Sequence, residues 1–245
     1  MSHKVILLTG GGSGIGRTGA RSLADAGHHV VIVGHHEADL AETAREIPTL
    51  DYVVADITDT DDLARAVAFV TDQHGRLDVL VNHAGTAPVV PLADLDMAVF
   101  DQVYAVNVRG LVDLTRQCLP LLKQSRGSII NISAALVDNP MGSMAIYSSS
   151  KAAVNHLSKA WAKDLAADGI RVNHMSVGPI ESPIYDKTDQ TSDERRAHVE
   201  AVTAQVPLGR FGTAEEVTAV IRFLVSDDAA YFTGSDYAVD GGFGL

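Results

Sequence analysis

The chain is poor in what several protein classes need. It has a single cysteine, Cys118, in 245 residues, so no internal disulfide can form and a reducing compartment fits. Lys and Arg number 19 against 31 Asp and Glu, a formal charge of −12. That balance argues against a nucleic-acid partner, whose affinity rests on neutralising phosphates. No apolar run reaches the ~20 residues of a membrane-spanning helix. Only Met1 to Lys4 precede the first strand-like run, which leaves no room for a signal peptide. The expectation is a cytoplasmic protein with no membrane contact. His83, His156 and His174 are scattered without ligand spacing, so no metal is expected. There is no internal repeat and no low-complexity tract. Cys118 falls in an apolar helical stripe with Leu114 and Leu121 and reads as inert packing.

What is present suffices for a sizeable core: 46% of residues are hydrophobic and 20% charged. Short apolar runs recur at Val5 to Leu8, Val30 to Val33, Tyr52 to Ala55, Val79 to Val81, Ser128 to Ile132, Arg171 to Ser176 and Tyr237 to Val239. Each reads as a strand, and helical patterns separate them, among them Arg17 to Ala26, Asp59 to His74 and a long one from Asp96 to Leu122. Thr213 and Glu216 have the spacing of a capping box that opens a helix through Leu224. Alternating strands and helices argue for one doubly wound α/β domain, a mostly parallel seven-stranded sheet with helices on both faces. Nothing marks a domain boundary within 1–245. The stretch from Gly178 to Pro207, rich in proline and charged in its middle, reads as a functional lid at about 182–206 with a short helix near Ser192 to Val202.

The first strand runs into Thr9-Gly-Gly-Gly-Ser-Gly14-Ile-Gly16 and then a helix. Strand, glycine loop and helix together make a phosphate site, because the helix N-terminus offers free N–H groups and a positive dipole end. Gly10, Gly12, Ser13, Gly14, Ile15 and Gly16 are the candidates. Gly10 permits the tight turn, Gly14 a close backbone approach to a pyrophosphate, and Gly16 close helix–strand packing. The second strand ends at Gly34-His35-His36, where a dinucleotide fold meets the adenosine ribose. No carboxylate stands at Gly34, and Glu37 and Asp39 read as the start of a helix. His35 and His36 are either a 2′-phosphate contact or two solvated histidines, and the balance leans to NADP over NAD. Asn82-His-Ala84-Gly85 ends the fourth strand in a small turn that suits a cofactor wall.

Tyr147 and Lys151 are four residues apart, so on a helix they share a face. A phenol has an ordinary pKa near ~10. An ammonium at ~5 Å and an effective dielectric of ~20 is worth about 3 kcal/mol, or roughly 2 pKa units, in favour of the phenolate. The pair is therefore a candidate general acid/base. Asn107, a polar amide in an apolar pattern, is either a satisfied core residue or a site residue.

Taken together these residues resemble the short-chain dehydrogenase/reductase family, its single-domain branch, nearly end to end. The glycine loop matches that family's cofactor loop, Asp56 (followed by Ile57) its adenine-contacting acid, and Asn82 to Gly85 its Asn-Asn-Ala-Gly turn, with His83 in place of the second Asn. Asn107 matches the asparagine that holds a proton-relay water, and Tyr147 and Lys151 match the acid/base pair. Gly178, Ile180 and Ser182 resemble the nicotinamide-side loop, with Val177 where Pro is usual. Gly209 to Gly212 and Val239 to Gly242 match its C-terminal signatures. The resemblance implies a Rossmann-type fold, reversible hydride transfer between NAD(P) and a small carbonyl or alcohol substrate, and a homotetramer.

One departure matters. The family's serine thirteen residues before the tyrosine is here Ala134. Ser133 lies one position earlier, which in a strand faces the other way. Three readings stay open: the loop is re-registered so that Ser133 serves, Ser143 serves from one turn before Tyr147, or the role is missing. Losing one such donor costs ~10²–10³ in rate where it stabilises an oxyanion. Besides the oxidoreductase, the alternatives are therefore a reductase acting on C=N, a weakly catalytic NAD(P)-binding sensor or partner subunit, and a cofactor-assisted dehydratase or isomerase.

Overall fold

The computed structural model describes residues 3–181 and 192–245. The expected apolar runs form six strands: β1 (Val5–Thr9), β2 (His29–Gly34), β3 (Leu50–Val54), β4 (Val79–Asn82), β5 (Ser128–Ala134) and β6 (Arg171–Val177). Between and after them lie α1 (Gly14–Asp25), α2 (Glu37–Ala44), α3 (Thr60–His74), α4 (Met97–Tyr104), α5 (Leu111–Ser125), α6 (Ala145–Asp164), α7 (Ser192–Thr203) and α8 (Ala214–Val225). The sheet runs β3-β2-β1-β4-β5-β6, and every pairing is parallel.

The side-chain period of two sorts each strand between two cores. Ile6 and Leu8 of β1 join Ala20 and Leu23 of α1 and Val217, Ile221 and Leu224 of α8 on one face. Val5 and Leu7 join Leu63, Ala66 and Val70 of α3 and Leu114, Cys118 and Leu122 of α5 on the other. Cys118 is packing, as expected, and burial pushes its thiol up to about 12. Chain order reverses between β1 and β4, and the crevice at their carboxyl ends is where open α/β sheets bind ligands. The capping box at α8 forms: Thr213 Oγ1 accepts from Glu216 N (3.3 Å) and the Glu216 carboxylate from Thr213 N (2.8 Å).

Two expectations need correction. The seventh strand is reduced to isolated bridges. Segment 235–239 runs beside β6 through Tyr237 N to His174 O (3.0 Å) and Val239 N to Ser176 O (2.9 Å), with bridges only at His174–Asp236 and Val177–Val239. Between them the Ser176 amide is shared between Tyr237 O and the Asp236 carboxylate, both at 3.2 Å, so a side chain competes with the ladder. The long helix from Asp96 is also interrupted. Ala105–Gly110 is a π-helical turn between α4 and α5, and it contains Asn107. Gly110 lets this turn lie on the loop after β3, since a Cβ there would stand 2.3 Å from Ile57 O. A third, smaller cluster joins Val199 and Val202 of α7 to Ala135, Leu136 and Phe243. Among the described residues no helix is long and apolar enough to cross a membrane.

Candidate active site

The glycine loop is shaped by contacts that exclude a side chain. Gly10 has φ +74° and its N–H bonds Val33 O (2.7 Å), which turns the chain back over β2. A Cβ on Gly16 would lie 2.1 Å from Gly10 O, so Gly16 packs against the turn of the loop itself rather than against a strand. Gly14 opens α1, Ser13 is its N-cap with no side-chain capping bond, and the first turn carries no acidic residue. Ile15 packs into the core beneath. Gly12 lies over α2, where a Cβ would be 3.1 Å from Asp39 Cβ. A helix start with no carboxylate and an uncommitted N-cap hydroxyl fits an anionic pyrophosphate.

Thr9, which sequence reasoning passed over, locks this loop to β4: its Oγ1 accepts from His83 N and Ala84 N, both at 3.0 Å. The available signal was a threonine directly ahead of a glycine run. Asn82, expected on the cofactor wall, is buried, and its Oδ1 has no hydrogen-bond partner. Its Nδ2 donates to Asn131 Oδ1 (2.8 Å) on β5 and Thr115 Oγ1 (3.1 Å) on α5, directing the amide into the layer beneath the sheet. Asp56 is exposed beyond β3 and its Oδ1 accepts from Thr58 N and Thr58 Oγ1 (2.8 Å each). His35 and His36 are exposed beyond β2. Gly178 N bonds Val239 O (3.0 Å), and Ile180 is buried and bridges Gly212. Ser182 lies outside the described residues.

The chemical end of the crevice is built by α6, β5 and the π turn. Lys151 is buried, and its Nζ donates to Ile132 O at 2.8 Å. Gly85 closes against it: a Cβ there would be 3.4 Å from Lys151 Nζ and 3.2 Å from Asn107 Oδ1. Asn107 is a fully engaged amide. Its Oδ1 accepts from Thr86 N (2.8 Å), and its Nδ2 donates to Thr86 O (2.9 Å) and Ser150 Oγ (3.0 Å). Both side-chain N–H groups are spent, so its direct effect is to hold the loop after β4 against α6. Ser150, also missed in the sequence, completes this link by donating to Tyr147 O (2.6 Å).

The electrostatics reverse one expectation. Burial, not the lysine, dominates Tyr147 and pushes the half-buried phenol up to about 12. Burial also pushes the Lys151 ammonium down to about 8. For both groups the cause is the loss of hydration. His83 is held down to about 4, first by burial and then by the Lys151 charge, and its buried Nδ1 has no hydrogen-bond partner.

β5 stays extended through Ala134 (φ −143°, ψ 142°), which pairs with Val177. The loop is therefore not re-registered. Ser133 is buried with its hydroxyl donating to Lys151 O (3.3 Å). Ser143 sits in the short turn before α6, where its carbonyl accepts from Val90 N (2.7 Å). Ala134 itself is buried at the strand end.

The family model described as enoyl-(acyl carrier protein) reductase matches residues 10–244. The chain is a short-chain dehydrogenase/reductase. This dehydrogenase/reductase is 37% identical over 249 residues to the 3-oxoacyl-acyl-carrier-protein reductase FabG of Thermotoga maritima, covering 99% of this chain and 98% of that one. It is 35% identical over 240 residues to the L-fucose dehydrogenase of Bos taurus, covering 98% and 88%. The crystal structure of L-sorbose reductase from Gluconobacter frateurii, complexed with NADPH and L-sorbose, superposes with a TM-score of 0.93 at 29% identity over 99% of this chain and 97% of that one. The 3-ketoacyl-(acyl-carrier-protein) reductase of Brucella melitensis, complexed with NADH, gives 0.91 at 30% identity over 99% and 98%. The glycine loop, Tyr147 and Lys151 thus sit in an oxidoreductase of this family. Among the described residues no cluster of His, Cys, Asp and Glu could hold a metal ion.

Proposed function

We propose that this chain is an NAD(P)-dependent reductase that interconverts a small carbonyl compound and its alcohol, with Tyr147 as general acid/base. The observation that carries the reading is the convergence of Lys151, Gly85 and Asn107 beside the glycine loop at the carboxyl ends of β4 and β5. The nicotinamide, when bound, supplies or takes the hydride. The residues that would hold the dinucleotide are Gly10 to Gly16, the segment around Asp56 and Ile57, Ala84, Gly85, Gly178 and Ile180, with Lys151 toward the ribose next to the nicotinamide. Ser182 and a lid over about 182–206 belong to the same reading, as does a homotetramer.

With its pKa near 12, Tyr147 is a proton donor at neutral pH. It would give its proton to the oxygen of a carbonyl as that carbon is reduced. In the reverse direction it would first have to lose that proton, which burial opposes. Lys151 keeps its charge below about 8 and supplies the cation that lowers this barrier once the pair is brought together.

Tyr147→Phe tests the assignment. Turnover of a ketone panel, followed by NAD(P)H absorbance, should fall at least ~10²-fold, the lower range for general acid/base catalysis, while dinucleotide binding persists. Unchanged turnover rejects it. A second reading, reduction of C=N, is favoured by Ala134, because an imine needs less polarisation than a ketone. A panel that includes cyclic imines separates the two.

A further inference from the structure

Hydride transfer needs the floor of the crevice but not its rim, and the rim has a character of its own. One edge is the lip that follows β4, Thr86 to Leu92. It starts from Gly85, which closes on Lys151, and Val90 N bonds Ser143 O (2.7 Å). That bond lays the lip on the short turn that opens α6, four residues before Tyr147. The other edge is the segment after β5, Ala135 to Asn139, where Leu136 packs with Val199 of α7 and the buried Phe243.

Both edges carry little that could hold a polar substrate. From Ala84 to Ala93 there is no charged residue and one hydroxyl, that of Thr86. From Asn139 to Ile146 there is again no charged residue, and Asp138 before them is exposed. Asn139 spends its Nδ2 on Phe243 O (2.9 Å). Lys151 donates to Ile132 O (2.8 Å) and Arg109 of the π turn to Thr58 O (3.1 Å). Arg196 of α7 is exposed and engaged.

Apolar side chains, by contrast, stand in water here. Val89 is 66% exposed and Leu92 80%, and Met141 and Met144 are half-buried on either side of Ser143. Apolar surface left open beside a crevice is contact surface for a ligand, and methionine adapts its shape to varied hydrocarbon. A ketose laid against these groups would leave hydroxyls without partners, which costs binding. A phosphorylated or carboxylated tail would call for a cation on the rim.

We propose that the rim holds a hydrocarbon arm, so that the preferred substrate is an uncharged ketone whose alkyl chain lies along Val89, Leu136, Met141 and Met144. Neither a polyol nor an acyl thioester on an anionic carrier fits that surface as well. This rests on the carbonyl reading made above. The arm is chemically inert: the carbonyl carbon gains the hydride of NAD(P)H, its oxygen gains the Tyr147 proton, and a secondary alcohol and NAD(P)⁺ leave.

Steady-state kcat/KM of the whole chain for straight-chain methyl ketones from butanone to octanone, with NADPH and with NADH, tests the proposal. It should rise about twofold to fourfold per methylene, the upper value being that of a fully buried one. Octanone should outrank both L-sorbose and acetoacetyl-coenzyme A. Val89→Thr and Met144→Gln each keep the size of the side chain and add a polar atom. Each should flatten the series, with dinucleotide binding by fluorescence titration showing that the fold is intact. A flat series, a higher kcat/KM for the sugar or the thioester, or variants that change only the oligomeric state and keep the wild-type series overturn the proposal and leave the carbonyl reading standing. If dinucleotide binds and no carbonyl compound is reduced, the carbonyl reading itself fails, and this inference with it.

Discussion

His83 offers the sharpest test of the electrostatics. Its ring packs against the glycine loop, with Cδ2 3.1 Å from a Cβ placed on Gly10, and its Nδ1 is buried without a partner. Burial and the neighbouring Lys151 charge lower its pKa from 6.5 to about 4. A base held down in the folded state binds more protons when unfolded, so stability rises with pH across this window and is lost as pH falls from about 6.5 toward 4. The full cost below both values is about 3 kcal/mol. Between about pH 8 and pH 5 the loss is about 2 kcal/mol, because at pH 5 the unfolded histidine is almost fully protonated while the folded one is not. His83→Asn removes the titrating group and keeps a small polar side chain. Urea unfolding of both proteins at about pH 8 and pH 5 should show the variant less acid-sensitive by about 2 kcal/mol, with unchanged m-values. Identical pH dependence in the two proteins would refute the buried, uncompensated state assigned to this ring.

The remaining expectations concern the same crevice. Ala134→Ser restores a hydroxyl at the end of β5, and ketone reduction should rise by up to ~10²–10³ in kcat; no gain would mean another group already polarises the substrate. Gly16→Ala puts a methyl 2.1 Å from Gly10 O, so dinucleotide affinity by fluorescence titration should drop by more than about tenfold, a cost of about 1.4 kcal/mol, and wild-type affinity would contradict the loop geometry. Lys151→Met removes a buried ammonium held near 8 rather than 10.5. As a depressed base, Lys151 costs stability fully below about pH 8 and not at all well above 10.5. The variant should therefore unfold at equal or higher urea at neutral pH, by up to ~3 kcal/mol, while losing turnover; a clear loss of stability would speak against a desolvated lysine.

Much of this arrangement was legible in the residues. The strand ends and the glycine loop were readable because apolar runs broken by glycine leave the parallel sheet few alternatives. That Tyr147 and Lys151 share a helix was readable from their spacing, and both lie in α6; their candidacy as a pair came from the rest of the chain. The direction of the phenol's pKa was not, because spacing reports a neighbour's charge but not the water that both groups lose. Asn82 and Ala84 sit two residues apart in one turn, yet only the alternation of side chains around the strand end decides that the first braces β5 and the second lines the loop. The π turn at Ala105–Gly110 also stayed hidden. Over six residues, a helix with one extra residue keeps apolar positions such as Val99, Val103, Val106 and Leu114 in an acceptable stripe. The edge beside β6 failed to become a strand because Asp236 competes for the Ser176 amide.

The single inserted residue in the π turn acts close by. A π turn takes in one residue more than an α-helix over about the same rotation, so it leaves the faces of α5 in phase, with Leu114, Cys118 and Leu122 on the sheet. What the extra residue fixes is local, the place of Asn107 against Thr86 and Ser150. Deleting one residue between 105 and 110 would therefore cost that brace while α5 kept its seat, and the loop after β4, rather than the core, would feel the loss.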